Sequence, residues 1–393
     1  MKTCPEIILK KGKEISIKRR HHWIFSGAIY SKPPDLREGE LVKVVDARNQ
    51  LLGHGFYAPG SIMIRMIAFA NEEVNEAFWL EKLTAAYQLR KQIVTVQGEA
   101  TNAYRLVHGE GDHLPGLVID NYDGNLVIQA HHLGILGELA PISSALKTLF
   151  GTDLKSIYNK SATVLQGKSN QEDGWILGKE PNARVLENGL RFEINMEKGQ
   201  KTGFFLDQRD NRRLLQRYCT GKKILNTFCY SGGFSVYALR AGASQVTSVD
   251  ISLEAIGLCQ KNLEINGFDV EQNPCLTADV LKYLQEIDHS YDVIILDPPA
   301  FAKNTRSRHN AVQAYKRLNA LAIKKIKRGG ILFTFSCSQV IDRELFTHTV
   351  TAAALEAQRP TQILHQLSQG PDHPVNVFHQ ETSYLKGLVI YVS

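Results

Sequence analysis

The chain reads as α/β, with a doubly wound, Rossmann-like sheet over its second half, a small β-barrel at its start and a mixed α+β domain between them. Three observations carry this. From about residue 201, short apolar runs rich in β-branched residues alternate with stretches of helical period. Residues 1–70 hold β-branched runs broken by glycines and show no helical period. The stretch between mixes both textures, which sets the domains at 1–72, 73–198 and 199–393.

In chain order, 40–47 (ELVKVVDA) and 61–69 (SIMIRMIAF) are strands, with Gly53, Gly55 and Gly60 marking turns or bulges. Trp79, Leu80, Leu83 and Tyr87 recur at helical spacing, so 76–91 is a helix leading out of the barrel. The middle domain has strands at 117–121 and 126–129 and a helical stretch over 133–149. It closes on RVLENGLRFEIN, where Asn188-Gly189 suits a two-residue hairpin turn. The doubly wound part runs KKILNTFC (strand), 234–240 (helix), QVTSVD (strand), 252–266 (helix), YDVIILD (strand), 311–327 (helix), GGILFTFSC (strand) and finally LKGLVIYV (strand).

Of the 393 residues 43% are hydrophobic and 22% charged, a globular balance that excludes a disordered chain. No apolar run approaches the ~20 residues of a membrane helix. The opening MKTCPEIILKKGKEISIKRRHH mixes basic, acidic and apolar residues, unlike a secretory or transit segment, so a cytoplasmic protein is expected. The six cysteines form no CxxC pair, which indicates neither a disulfide framework nor a metal site. Seven of the first 25 residues are Lys or Arg, against two acids, while the whole chain carries only +6. A basic arm on a near-neutral body, with Lys18, Arg19 and Arg20 adjacent, points to phosphate contact or to a lysine-guarded strand edge.

Doubly wound sheets bind ligands beyond the carboxyl ends of their strands. Here the first such end is Phe228-Cys229-Tyr230-Ser231-Gly232-Gly233, where glycines allow close backbone approach and a helix begins. The second ends in Asp250, placed to accept ribose hydroxyls, and Asp279 follows the third, where it or its backbone can meet an adenine amino group. The pyrophosphate fingerprint GxGxxG is absent, so the ligand is an adenosine without a diphosphate, of which S-adenosylmethionine is the common one. Turn glycines with ordinary N-cap acids are the bland alternative.

At the fourth strand end, Asp297-Pro298-Pro299-Ala300-Phe301 makes a rigid turn whose carbonyls and carboxylate can hold a planar amine-bearing ring, flanked by Pro298 and Phe301. The fifth ends in Ser336-Cys337-Ser338, a thiol beside Asp297 if the two strands are neighbours. Most lone cysteines are packing residues, and the other five are read so. Lys303, beyond the base-binding turn, can contact a phosphate backbone or belong to a solvated loop, as can Arg306 and Arg308. His373, in PDHPV, either lines the site or is structural.

These motifs resemble the class I S-adenosylmethionine-dependent methyltransferases, and more narrowly the bacterial PUA-domain family that makes 5-methylcytosine in large-subunit (23S) ribosomal RNA. The resemblance runs through HHWIFSGAIY, YRLVHGEGDHLPGLVID, EKGQKTGFFLDQRDNR, FCYSGGFSVYA, LDPPAFAK and FSCS, nearly the whole chain. It implies that the barrel is a PUA domain contacting RNA through the basic arm. It implies too that Phe205, Gln208 and Arg209 line the methionine side of the cofactor, and that family members pair as homodimers.

By the same resemblance Cys337 adds to the 6-position of cytosine and Asp297 stabilises the ring nitrogen, for which a protonated Asp297 is needed. A second cysteine beside the fourth-strand acid, which another RNA cytosine methyltransferase branch uses for product release, is missing, since Pro299-Ala300 stands there. Two competing readings stay open. One is a base-nitrogen methyltransferase, for example at guanine N7, using Asp297 alone; the other is a non-catalytic RNA-binding or ribosome-assembly protein.

Overall fold

A computed structural model describes residues 4–70, 72–94, 100–165, 167–302 and 304–393. The chain forms two units. One comprises 1–185, 194–204 and 371–382; the other comprises 186–193, 205–370 and 383–393.

Among the described residues, the first unit is built on two larger sheets. A six-stranded sheet runs, in hydrogen-bonded order, Trp23–Phe25, Ile62–Phe69, Leu51–Tyr57, Leu41–Val45, Glu6–Leu9 and Ile29–Ser31. Its two edge strands are separated in sequence only by the single turn Ser26–Ala28, so the sheet must curl until its edges approach, as the barrel expectation requires. Ile7, Leu9, Val42, Val44, Ile64 and Met66 fill its inside. The second sheet has five strands, 174–177, 156–159, 125–130, 117–122 and 103–108 in order. Helices Glu76–Val94 and Leu139–Phe150 bury Trp79, Leu83, Ile142 and Leu146 in the same core as this sheet. The expected helix over 133–149 is two, Leu133–Gly137 and Leu139–Phe150. Pro141 explains the break, because its ring excludes the carbonyl of residue 137 from an α-helical bond.

The second unit is the doubly wound sheet. Its strands are β1 (Lys223–Thr227), β2 (Gln245–Asp250), β3 (Cys275–Thr277), β4 (Val293–Leu296), β5 (Gly330–Ser336), β6 (Thr361–Leu367) and β7 (Lys386–Val392). The order is β3-β2-β1-β4-β5-β7-β6, with β1 to β5 mutually parallel and β7 antiparallel to both neighbours. Six helices accompany it: α1 (Arg209–Leu215), α2 (Gly233–Arg240), α3 (Leu253–Glu264), α4 (Val280–Glu286), α5 (Arg308–Lys325) and α6 (Arg343–Ala357). Both faces are covered, which is why β4 is apolar throughout and wholly buried. The order reverses at β1, so the carboxyl ends of β1, β2 and β4 open the crevice where such sheets take ligands.

Asn188 (φ 49°) and Gly189 (φ 75°) are both left-handed, as a type I′ hairpin turn requires. Glu187, just before this turn, is fully buried and receives both arms of Arg212 on α1, at 2.8 and 2.6 Å, and the Tyr237 hydroxyl at 2.9 Å. Arg212 also donates to the Phe205 carbonyl at 2.9 Å, which fixes the chain entering α1.

Candidate active site

The loop after β1 is built under strain. Phe228 (φ 53°), Tyr230 (φ 44°) and Gly232 (φ 76°) all lie in the left-handed region, at a cost of about 1–3 kcal/mol for each non-glycine residue. Alternating left-handed residues turn backbone N–H groups to one side, a concavity suited to polar ligand atoms. Gly232 is fixed by space as well, since a Cβ there would lie 2.5 Å from Cys259 Sγ. Asp250 holds the loop: Oδ2 accepts from the Tyr230 N–H and Oδ1 from the Ser252 N–H, both at 3.0 Å. Each oxygen keeps a second lone pair for a ribose hydroxyl.

Beside this loop lies a cavity of about 240 Å³, lined among others by Phe228, Ile251, Asp279, Val280, Phe301 and Leu318. Its walls are largely apolar, and Ile251 leaves 73% of its surface exposed. An adenine ring suits such a slot. Asp279 sits at its rim as the N-cap of α4, its Oδ1 accepting the Lys282 N–H at 3.0 Å, so the bland reading of this acid is also true. A larger cavity, about 500 Å³, lies in the first unit near Tyr87, Tyr104 and Phe150, and none of the candidate residues lines it.

The segment 205–209 meets both halves of the site. The Phe205 ring stands edge-on to Tyr230 at 5.2 Å. Gln208 donates through Nε2 to Asp297 Oδ2 at 3.0 Å, while its Oε1 accepts from Asn211 at 2.6 Å, which fixes the amide's orientation. Arg209 is buried at the start of α1, its Nε 3.8 Å from Asp210 Oδ1.

β4 and β5 are adjacent and parallel, with Leu296 opposite Thr334. Asp297 is therefore level with Phe335, and Cys337 stands two residues, ~7 Å, further along. The two loops are tied by Ser338 Oγ, which donates to the Ala302 carbonyl at 2.6 Å. Cys337 is half-buried between two buried serines and packs on one side against an apolar cluster that includes Phe333, Phe335 and Leu385. Burial pushes the Tyr315 hydroxyl up to about 12, with Cys337 and Asp297 both adding to the shift.

Cys219 and Cys259 are buried, Cys4 and Cys275 half-buried, and Cys229 is buried in the small cluster it forms with Cys259. Burial pushes the thiols of Cys219 and Cys229 up, Cys219 to about 12, as packing residues behave.

Two expected base contacts change. Pro298 is buried, leaving Pro299 and Ala300 as the exposed part of the turn. Phe301 packs its ring on Tyr315 at 4.7 Å and walls the 240 Å³ cavity, which puts it on the adenosine side. Lys303 lies outside the described residues. His373 belongs to the first unit, buried with its ring 5.1 Å from His108, and is structural. Lys18, Arg19 and Arg20 are exposed on that unit, Arg20 lying over the Phe69 ring at 5.1 Å.

Sequence reading missed Arg212–Glu187, Asn211, Tyr315 and Lys386. Lys386 had a visible signal, a lone lysine in the otherwise apolar LKGLVIYV. Arg212–Glu187 and Tyr315 carry none, because their partners lie far away in sequence.

An expected result follows for the loop acid. Asp250→Ala removes the carboxylate expected to accept two ribose hydroxyls, and calorimetry should record S-adenosylmethionine affinity falling tenfold or more, about 1.5–3 kcal/mol. Unchanged affinity would remove Asp250 from the cofactor site.

Comparison with known proteins agrees with this geometry. Residues 104–377 match the model of the S-adenosylmethionine-dependent methyltransferase family, and residues 7–69 match a PUA-like domain. Ribosomal RNA large subunit methyltransferase I of Klebsiella pneumoniae subsp. pneumoniae is 38% identical over 99% of this chain and 98% of its own. Its namesake from Photobacterium profundum is 39% identical over 98% and 99%. A SAM-dependent methyltransferase from Streptococcus mutans shares the fold, with TM-score 0.83 and 22% identity over 98% of this chain and all of that one. So does a methyltransferase complexed with SAH, at 0.84 and 23% over the same shares. Among the described residues no helix is long and apolar enough to cross a membrane. With adenosine-type strand ends, a cradle after β1 and a family match over most of its length, the chain belongs to the S-adenosylmethionine-dependent methyltransferases and carries a PUA-like domain at its N-terminus.

Proposed function

We propose that the protein methylates the 5-position of a cytosine in large-subunit ribosomal RNA, through a covalent bond between Cys337 and the base. The observation that carries this reading is a half-buried thiol at the carboxyl end of β5, next to the strand whose end bears Asp297. The relatives' name supports the substrate class.

In this reading S-adenosylmethionine lies across the β1 loop, its adenine in the 240 Å³ cavity, its ribose on Asp250 and its carboxylate at Arg209. When bound, it supplies a sulfonium-activated methyl group. The target base, out of its stack, meets Asp297 and the exposed Pro299. Asp297, whose Oδ2 accepts from Gln208 Nε2 at 3.0 Å, supplies the proton that goes to ring nitrogen N3. The Cys337 thiolate adds to C6; the C5=C6 electrons are held as an enamine as N3 takes that proton. C5 is then nucleophilic and accepts the methyl group. Loss of the C5 proton to water, departure of the thiolate and return of the N3 proton to Asp297 restore the ring.

The test is nuclease digestion and mass spectrometry of ribosomal RNA incubated with enzyme and isotopically labelled S-adenosylmethionine. Label in 5-methylcytidine is expected. Label on a base nitrogen would instead favour the reading in which Asp297 acts alone, one consistent with the apolar packing on one side of Cys337.

The basic arm is assigned to RNA phosphates. Arg19→Ala with Arg20→Ala should weaken binding of a ribosomal RNA fragment and flatten the salt dependence, by ~0.7–0.9 per charge in the slope of log K against log salt. An unchanged slope would remove the arm from the interface.

A further inference from the structure

Lys386 is the first residue of β7, directly opposite Ser336 in the antiparallel ladder with β5. Its side chain is buried, at 5% exposure, among residues that are otherwise apolar along the strand. A lysine is rarely buried without a carboxylate partner, because removing the ammonium from water costs several kcal/mol. Among the described residues Lys386 has no such partner within ion-pair distance; its Nζ donates to two backbone carbonyls, Ser338 at 2.6 Å and Tyr384 at 2.7 Å. Two carbonyls satisfy two of its three donors and neutralise none of its charge. Both anchors matter, since Ser338 is the residue after Cys337. The lysine therefore grips the backbone that presents the thiol.

The charged groups that reach Lys386 are Cys337, then Arg343 and Asp342 at the start of α6. Arg343 and Asp342 oppose each other in sign. Tyr384, on the other flank, spends its hydroxyl on Asp207 at 2.6 Å. Cys337 directly precedes the residue whose carbonyl holds Nζ, and its ionisation bears on the ammonium. Burial brings Lys386 down to about 8, which leaves it mostly charged at neutral pH, while a Cys337 anion works to hold its proton on. The effect is mutual: whatever a thiolate gives the ammonium, the ammonium gives the thiolate.

We propose that Lys386 is the charge partner of Cys337, its buried ammonium stabilising the thiolate that adds to the pyrimidine. An ordinary thiol, with pKa ~8.5, is only a few per cent ionised at pH 7, and an opposite charge within ~4–6 Å enriches the thiolate by tenfold or more. In the catalytic cycle the thiol proton leaves to water before addition. Sulfur then gives its electron pair to C6, and elimination returns that pair to sulfur beside the same ammonium. Lys386 keeps its proton throughout and acts as a positioning residue. The proposal rests on Cys337 being the nucleophile, but its chemistry is readable without RNA or methyl transfer.

The experiment is the rate of Cys337 alkylation by iodoacetamide from pH 6 to 9.5, read by mass spectrometry of the Cys337 peptide in the full-length protein. Wild type, Lys386→Met and Lys386→Arg are compared, with S-adenosylmethionine binding as the check on folding. Wild type should show a midpoint below the ordinary thiol value. Lys386→Met should lose about tenfold or more in rate at pH 7, and Lys386→Arg should recover most of it. A merely structural lysine would not move the pH profile. Matching profiles for wild type and Lys386→Met overturn the proposal; if Lys386→Met does not fold, an ordinary or higher midpoint in wild type overturns it equally. Failure of the covalent reading looks different: Cys337→Ala would still methylate cytosine whatever the alkylation profile.

Discussion

Cys337→Ala should abolish methyl transfer, by about 10³-fold or more, while S-adenosylmethionine binds as in wild type. C5 of cytosine is too weak a nucleophile to attack a sulfonium methyl until a nucleophile at C6 has broken the ring's aromaticity. Removing the sulfur therefore removes the reaction, leaving no slower version of it to observe. Binding should survive because none of the adenosine-side groups, Asp250, Phe228, Ile251 or Phe301, depends on the β5 end. Single-turnover transfer of labelled methyl to ribosomal RNA, with calorimetry on the same preparation, measures both. Retained transfer would show that the thiol is a packing residue.

Asp297→Asn should have the next largest effect, lowering turnover by about 10²–10³-fold. The substitution keeps the size of the side chain and one hydrogen bond. It loses the proton that the proposed mechanism draws from Asp297, and it presents an amide to the Gln208 amide group that now donates to Oδ2. The loss should fall on turnover more than on cofactor affinity. A variant with full turnover and weak cofactor binding would make Asp297 a cofactor residue alone.

Much of this site was legible because its chemistry is local in sequence. The β1 loop, Asp297 and Cys337 stand just beyond a strand and Asp250 is the last residue of one, and parallel strands deliver such positions to one edge. The Asn188-Gly189 turn was equally legible, since its backbone demands left-handed residues. What failed did so for physical reasons. Strand β6 escaped notice because it is an edge strand that leaves Ile363 and Leu364 partly exposed, so it has no clean alternation. The orientation of Phe301 could not be read, because a side chain after two prolines can turn either way and Tyr315, its partner, is contributed by α5. Lys386 was passed over for a similar reason. Its meaning lies in the ladder partner Ser336, fifty residues earlier in the chain.

The covalent bond itself is the claim to test most directly. Ribosomal RNA containing 5-fluorocytosine carries fluorine where the departing proton should be, so methyl transfer should leave the enzyme joined to its substrate. On a denaturing gel, wild-type protein incubated with this RNA and S-adenosylmethionine should run as a protein–RNA adduct whose RNA-bearing peptide contains Cys337. Release of methylated RNA with no adduct, or an adduct through another residue, would contradict the account.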